Sequence, residues 1–323
     1  MVGPSGRTVP PIAHTSKKSG FPWILALTGP DHSLYKTAEA VIKRPVIAHL
    51  LGLPDTPGFM FLVFAGGGML YFFLLASVAY YLYFKKFRAR FHPDYELDPK
   101  EMKSALKWVV IGIMGSAVFM IPIHMLIAGD HSKMYYDVSE YGWAWLFGQV
   151  VVLLIFTETL IYWTHYAFHR VPWLWKHVHE RHHKYKVPQP YSALSFNPAD
   201  AFLQAVPHHI AAFFFPIHAW VYVASVTFVT LWAVCIHDRV SFFRWPWLNY
   251  TDHHTLHHWY SDFNLGQYFT FWDRLVGTYR SPVIDYEDVP EGIIYRPKSA
   301  TPSVRAPTAL GGRSANRPLG LSG

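Results

Sequence analysis

Histidine spacing is the first feature of the sequence that points to chemistry. The 323-residue chain holds 20 histidines, and 14 of them lie between His165 and His258. His165 and His169 stand four residues apart, and two later boxes, 179–183 and 254–258, share the spacing HxxHH. On a helix this spacing brings imidazoles to one face. Imidazole suits iron, zinc, copper and nickel, and more histidines cluster here than the four of a structural zinc site, which favours two metal ions.

Long apolar segments must position these boxes. Charged residues make up only 15% of the chain, against about 25% in soluble domains, and a bilayer crossing takes about 20 apolar residues. The predicted spans are Gly58–Phe84, Trp108–Ala128 and Trp143–Trp163, followed by the apolar region Ala201–Ile236, which Pro207 and Pro216 divide into a two-helix hairpin. The sequence therefore predicts an all-α integral membrane bundle of about four to five spans.

Loop charges predict which face of the membrane carries the histidines. Residues 85–107 hold seven lysines and arginines, whereas residues 129–142 hold one lysine against three acids. By the positive-inside rule the first loop is cytoplasmic and the second is not, which puts the histidine-rich di-metal site on the cytoplasmic side. The net charge of +7 then belongs mainly to cytoplasmic loops and tails rather than to a nucleic-acid-binding face. This orientation places the modestly basic N-terminus on the non-cytoplasmic side, which conflicts with the positive-inside rule.

Composition divides the chain into four parts. We expect residues 1–57 to form an N-terminal tail with short interfacial helices, and 58–141 to form the first two spans with their basic loop. Residues 142–283 are predicted to be the catalytic domain, and 284–323 a largely disordered tail. The single cysteine, Cys235, excludes an internal disulfide and a CxxC metal motif.

Four strings between residues 158 and 280 resemble the fatty acid hydroxylase/sterol desaturase superfamily, and within it most of all the C-5 sterol desaturases. They are IYWTHYAFHR (161–170), HERHHKYKVPQPYSALSFNP (179–198), HDR (237–239) and HHTLHHWYSDFNLGQYFTFWDRLVGTYR (253–280). The chain departs from the family pattern at Leu194 and Asn197, where histidines are usual, and at Arg239, where glycine is usual. These departures bear on the substrate and on one outer metal contact.

The resemblance implies a non-haem centre of two iron ions held by histidine. It also implies O2 as co-substrate and two electrons, ultimately from NAD(P)H, delivered by a cytochrome b5-type or ferredoxin-type donor. The implied ligands are His165, His169, His179, His182, His183, His237, His254, His257 and His258, with His209 as a tenth candidate.

Carboxylates are expected to orient some of these imidazoles. The candidates are Glu158, Asp238, Asp252 and Asp273. Glu158 stands out because a carboxylate inside a span is costly and because it precedes His165 by seven residues, on the same helical face. The alternative for Glu158 is a polar contact to another helix.

The function that the resemblance implies is introduction of the C-5(6) double bond into a Δ7-sterol. The sterol would enter from the bilayer through a cavity lined by the aromatic residues Phe196, Phe213, Phe214, Phe215 and Trp232. The alternative is a hydroxylase of the same superfamily acting on another sterol, a fatty acyl chain or a carotenoid. A membrane metal-binding or transport protein would instead carry histidines within its spans. The expected location is the endoplasmic reticulum membrane of a eukaryote or the inner membrane of a bacterium.

Overall fold

A computed structural model describes residues 56–93 and 95–282. The predicted N-terminal segment up to residue 55 and the C-terminal tail from residue 284 lie outside these described residues. In chain order the described helices are α1 (Pro57–Lys86), α2 (Arg88–Phe91), α3 (Pro99–Ala128), α4 (Gly142–Arg170), α5 (Pro172–Leu174), α6 (Pro198–Phe214), α7 (Ala219–His237), α8 (Thr251–Tyr260) and α9 (Phe271–Val276).

Four of these helices are long and apolar enough to cross a bilayer: α1, α3, α4 and α7. Helix α1 contains two π-helical segments, Leu62–Gly67 and Tyr80–Lys86. Helix α3 begins at Pro99 because the Asp98 carboxylate accepts hydrogen bonds from the amides of the first turn, the arrangement of an N-cap. The all-α membrane architecture predicted from the sequence is confirmed.

The hairpin predicted for Ala201–Ile236 is present as α6 and α7, but only one of its two prolines separates the helices. Pro216 lies between them, where strand β2 (Ile217–His218) pairs in parallel with strand β1 (Met134–Tyr135). The expectation that Pro207 also interrupts the region is wrong, since α6 continues through it. Pro207 removes one backbone donor, and surrounding helices make such a loss tolerable inside a membrane bundle. Helix α6 has 17 residues and is shorter than each of the four helices that could span a bilayer.

Close backbone approach places the start of α6 against α3. A Cβ atom at Gly112 would lie 2.8 Å from the carbonyl oxygen of Phe196, so only glycine fits there without a shift. Asn197 then caps α6, because its Oδ1 accepts from the Ala199 amide at 2.9 Å. This contact directs the first turn of α6, with the buried Asp200, towards the second histidine box.

The basic segment after α1 lies at the same end of the bundle as the C-terminus of α7. The Nε2 atom of His92 donates to the carbonyl oxygen of Asp238, one residue beyond α7, at 2.8 Å. The basic loop and the end of the helix that carries His237 therefore share one end of the molecule.

Candidate metal centre

Nine histidines converge in two groups at this end of the bundle. Within each group the candidate ligand atoms all lie within 4.8 Å of one another. The five-histidine group consists of His165, His169, His179, His183 and His257. The four-histidine group consists of His182, His237, His254 and His258. All nine are buried except His169, which is partly buried.

Each box contributes one pair of histidines spaced i, i+4 to a single group. His165 and His169 occupy the last turns of α4, and the third box lies on α8. The second box is not on a regular α-helix, since His179 ends a π-helical turn and His182 begins a 3₁₀ turn. The middle histidine of each HxxHH box belongs to the other group. His182 of the second box lies in the four-histidine group with His254 and His258 of α8, and His257 of α8 lies in the five-histidine group with His179 and His183. The two groups are therefore interlocked.

Hydrogen bonds fix the tautomers of several of these rings. His165 Nδ1 lies 2.8 Å from the carbonyl oxygen of Leu265, and His257 Nδ1 lies 2.8 Å from that of Phe263. His237 Nδ1 lies 2.7 Å from a carbonyl oxygen of its own helix. A carbonyl only accepts, so each Nδ1 must carry the proton. A neutral imidazole has one such proton, and each Nε2 atom therefore presents a lone pair.

These Nε2 atoms face other imidazole nitrogens at short range. The Nε2 atoms of His165 and His179 are 3.1 Å apart, and those of His237 and His254 are also 3.1 Å apart. The Nε2 atom of His257 is buried with no hydrogen-bond partner among the described residues. Converging lone pairs repel unless a cation lies between them. Two ligands at 90° on a metal with bonds of about 2.1 Å are separated by about 3.0 Å, so the histidines fit metal ions.

Burial keeps these imidazoles in the form that binds metal. Burial lowers the pKa of His257 to about 3, and the neighbouring imidazole of His179 lowers it further. Burial first, and neighbouring histidines second, also hold the pKa of His182 and of His183 well below the usual value. The rings of His182, His183 and His257 are therefore neutral at physiological pH, as metal ligands must be.

Two of the predicted carboxylates act on the loop after α8 rather than on a histidine. Glu158 Oε2 accepts from the Tyr268 amide at 2.7 Å. Asp273 accepts from the amides of Leu265 at 2.8 Å and Gly266 at 3.0 Å. The same loop supplies the Leu265 carbonyl that orients His165. Glu158 and Asp273 thus hold the carbonyl that positions a ligand, one step further from the metals than the sequence predicts.

Asp238 follows directly after α7, and Asp252 lies in the first turn of α8. The Asp238 carboxylate accepts from the Val240 amide at 2.7 Å, and Asp252 forms an ion pair of 3.7 Å with Arg244. Both contacts hold residues of the segment between α7 and α8, namely Val240 and Arg244.

The carboxylate that contacts a ligand directly is Asp200, which the sequence analysis missed. Its Oδ2 accepts from His179 Nδ1 at 2.7 Å, and its Oδ1 accepts from Gln204 Nε2 at 2.6 Å. Asp200 is fully buried. The feature of the sequence that points to Asp200 is an acidic residue in the first turn of an apolar helix that begins with Asn-Pro. A carboxylate that fixes a ligand histidine in this way raises its basicity.

The tenth candidate, His209, lies outside both groups. Its Nδ1 is 2.5 Å from Tyr222 Oη and 3.1 Å from His124 Nε2. The two positions where the family has histidines are also occupied by other contacts. Asn197 donates through Nδ2 to the carbonyl of His177 at 3.2 Å while capping α6, and Leu194 lines a cavity.

A cavity of about 380 Å³ joins the histidine groups to the interior of the bundle, within the usual size range of small-molecule sites. Five of the nine histidines line it: His165, His179, His182, His237 and His254. Apolar residues of α1, α3, α6 and α7 form most of its wall. Of the five aromatic residues predicted to line a lipid cavity, only Phe196 does so. The exposure of Phe214, at 60%, explains one of these errors: it faces away from the bundle.

Comparison with known proteins finds lathosterol oxidases and sterol desaturases among the relatives of this chain. A family profile described as fatty acid hydroxylase matches residues 150–278. The chain is 36% identical over 222 residues to lathosterol oxidase of Rattus norvegicus, which covers 67% of this chain and 73% of the relative. It is 38% identical over 217 residues to Delta(7)-sterol 5(6)-desaturase of Schizosaccharomyces pombe, covering 67% of this chain and 64% of the relative. A Delta(7)-sterol 5(6)-desaturase of Gibberella zeae is 32% identical over 237 residues, or 72% of each chain. No solved structure matches.

Proposed function

This chain belongs to the fatty acid hydroxylase family, and from that membership we propose that it introduces the C-5(6) double bond into a Δ7-sterol. The reaction consumes the sterol, O2, two electrons and two protons, and releases the alkene and two waters. The relatives named lathosterol oxidase and Delta(7)-sterol 5(6)-desaturase support the substrate class. The observation that carries the proposal is the convergence of nine histidines on one apolar cavity.

The nine histidines would hold two iron ions, one in each group. When bound, the irons supply the redox chemistry that removal of hydrogen from an unactivated C–H bond requires. The protein's own part is to hold the ligands neutral and in one orientation. Asp200 keeps the proton of His179 on Nδ1, and the Leu265 carbonyl does the same for His165. Predominantly apolar walls limit water near the ligands, which favours binding of a lipid.

Electron delivery would take place at the same end of the molecule. The basic residues Lys85, Lys86, Arg88 and Arg90 are exposed, and the contact between His92 and Asp238 ties their segment to the end of α7. An acidic donor protein of the cytochrome b5 or ferredoxin type would be attracted to this charge. The positive-inside rule puts this end on the cytoplasmic side, of the endoplasmic reticulum in a eukaryote or of the inner membrane in a bacterium.

Expression in a cell that lacks its own sterol C-5 desaturase tests the proposal. We expect the chain to convert accumulated Δ7-sterol into the Δ5,7-sterol, and purified protein to contain about two irons per chain. The variant His182→Ala should lose the activity, whereas His131→Ala, which changes an exposed histidine, should keep it.

Three outcomes would contradict the proposal. Persistent Δ7-sterol with well-expressed protein would reject the sterol reaction, and a hydroxylated product would favour the hydroxylase alternative. One tightly held zinc without iron would reject the redox chemistry altogether.

A further inference from the structure

A second cluster of buried polar side chains lies on the same cavity, away from the nine histidines. It consists of His124 on α3, His209 on α6 and Tyr222 on α7, whose polar atoms lie within 3.3 Å of one another. Their side chains are between 5% and 9% exposed. His209 and Tyr222 line the cavity, and His124 packs behind them against Phe64. We call these three residues the distal triad.

The distal triad lies far from the metal centre along the bundle. His209 follows Asp200 by nine residues on α6, which at 1.5 Å per residue is about 14 Å. Tyr222 precedes His237 by fifteen residues on α7, which is about 22 Å. The cavity therefore carries metal ligands at one end and polar groups at the other.

On the cavity wall, His209 Nε2 is the ring nitrogen of the distal triad that is left for a ligand. His209 Nδ1 is engaged with Tyr222 and His124, and its Nε2 has no partner among the described residues. If Tyr222 donates to Nδ1, then Nε2 carries the proton; if Nδ1 donates to Tyr222, then Nε2 accepts. A hydroxyl group satisfies either tautomer because it can both donate and accept. A ring nitrogen on the wall of a largely apolar cavity gains a hydrogen bond when a ligand offers such a group, so this atom favours a ligand that bears one.

The 3-hydroxyl of a sterol cannot be that group. Its oxygen is only three bonds from C-5, so with C-5 at the metals it stays at the metal end of the cavity. The far end of the cavity receives the end of the side chain. We infer that the distal triad binds a hydroxyl on the side chain of the substrate, so that the chain selects side-chain-hydroxylated sterols. This inference rests on the proposed function for the sterol class and for the position of C-5.

Binding of two matched sterols tests the inference without turnover. The probes are Δ7-cholestenol and its 25-hydroxy derivative, each measured by displacement of tritiated Δ7-cholestenol from the purified full-length protein. We expect about tenfold tighter binding of the 25-hydroxy sterol, as one buried hydrogen bond provides. The variant His209→Phe should bring the affinity ratio close to one, and Tyr222→Phe should lower the ratio because it removes the hydroxyl that holds the His209 ring. Tyr71→Phe is the matched control: Tyr71 lines the same cavity, its hydroxyl already donates to the Thr227 carbonyl, and its ratio should stay near ten.

The outcomes separate this inference from the proposed function. A wild-type ratio near one, or a ratio kept in His209→Phe, overturns the inference even if both sterols are desaturated. A ratio near ten that is lost in His209→Phe and lowered in Tyr222→Phe upholds it even if no alkene forms, in which case the proposed reaction fails. Thermal unfolding of each variant tests whether the fold is retained. If His209→Phe proves unstable, Tyr222→Phe serves as the second variant because it removes only a single oxygen atom.

Discussion

Replacement of Asp200 by asparagine should weaken metal binding without changing the size of the side chain. The carboxylate accepts two hydrogen bonds, from His179 Nδ1 at 2.7 Å and from Gln204 Nε2 at 2.6 Å. Asparagine offers one carbonyl oxygen, so one of these donors would face an amide NH2 group. At a fully buried site an unpaired donor costs about 1–3 kcal/mol. Loss of the group that orients a ligand histidine lowers metal affinity by about 10–100-fold.

Competition between the protein and a coloured chelator measures this effect. We expect Asp200→Asn to release iron at a chelator concentration about 10–100-fold lower than wild type does. Asp262→Asn is the control, because Asp262 forms an exposed ion pair of 3.5 Å with Arg170, and such pairs contribute little. Equal iron retention by the two variants would show that Asp200 does not orient His179 in the way the contact implies.

Two further predictions concern the loop after α8 and the titration of buried histidines. A Cβ at Gly266 would collide with the Phe269 carbonyl and approach the carboxylates of Glu158 and Asp273 to 3.0 Å. Gly266→Ala should therefore destabilise the protein by about 1–3 kcal/mol in thermal unfolding, whereas Gly148→Ala, whose Cβ meets nothing nearer than 3.9 Å, should not; equal melting temperatures would refute the crowding. Burial lowers the pKa of His257 to about 3 and that of His253 to about 4, so below about pH 6.5 the unfolded chain binds protons that the folded chain does not. Metal-free protein should lose about 1.4 kcal/mol per pH unit for each such imidazole as the pH falls from 6.5; stability that is constant between pH 7 and pH 5 would contradict this.

The sequence predicts the membrane spans and the histidine boxes well because both depend on local spacing. An apolar run of 20 residues needs little tertiary information to become a spanning helix. The prediction is weaker where the path of the backbone decides the direction of a side chain. HxxHH on one α-helix would direct all three rings to one side, but the second box combines a π-helical and a 3₁₀ turn. The division of each box between two groups was not predictable from spacing.

Tertiary contacts also decide which polar residues serve the site. Asp200 is separated from His179 by 21 residues, and their contact depends on where the tertiary fold places the first turn of α6. His209 matches a family histidine in its sequence position, yet its ring nitrogen bonds Tyr222 from another helix. In the sequence Pro207 predicts an interruption of the helix, but α6 continues through it.

The exchange of middle histidines between the two boxes would couple the loading of one metal ion to the loading of a second. His182 and His257 each belong to one box by sequence and to the other group by position. An ion bound in either group therefore immobilises segments that carry ligands of the other, so part of the ordering entropy of the second ion has already been lost when the first binds. Iron should then bind with positive cooperativity. At limiting iron, the population should divide between chains with no iron and chains with two, and chains with a single ion should be rare.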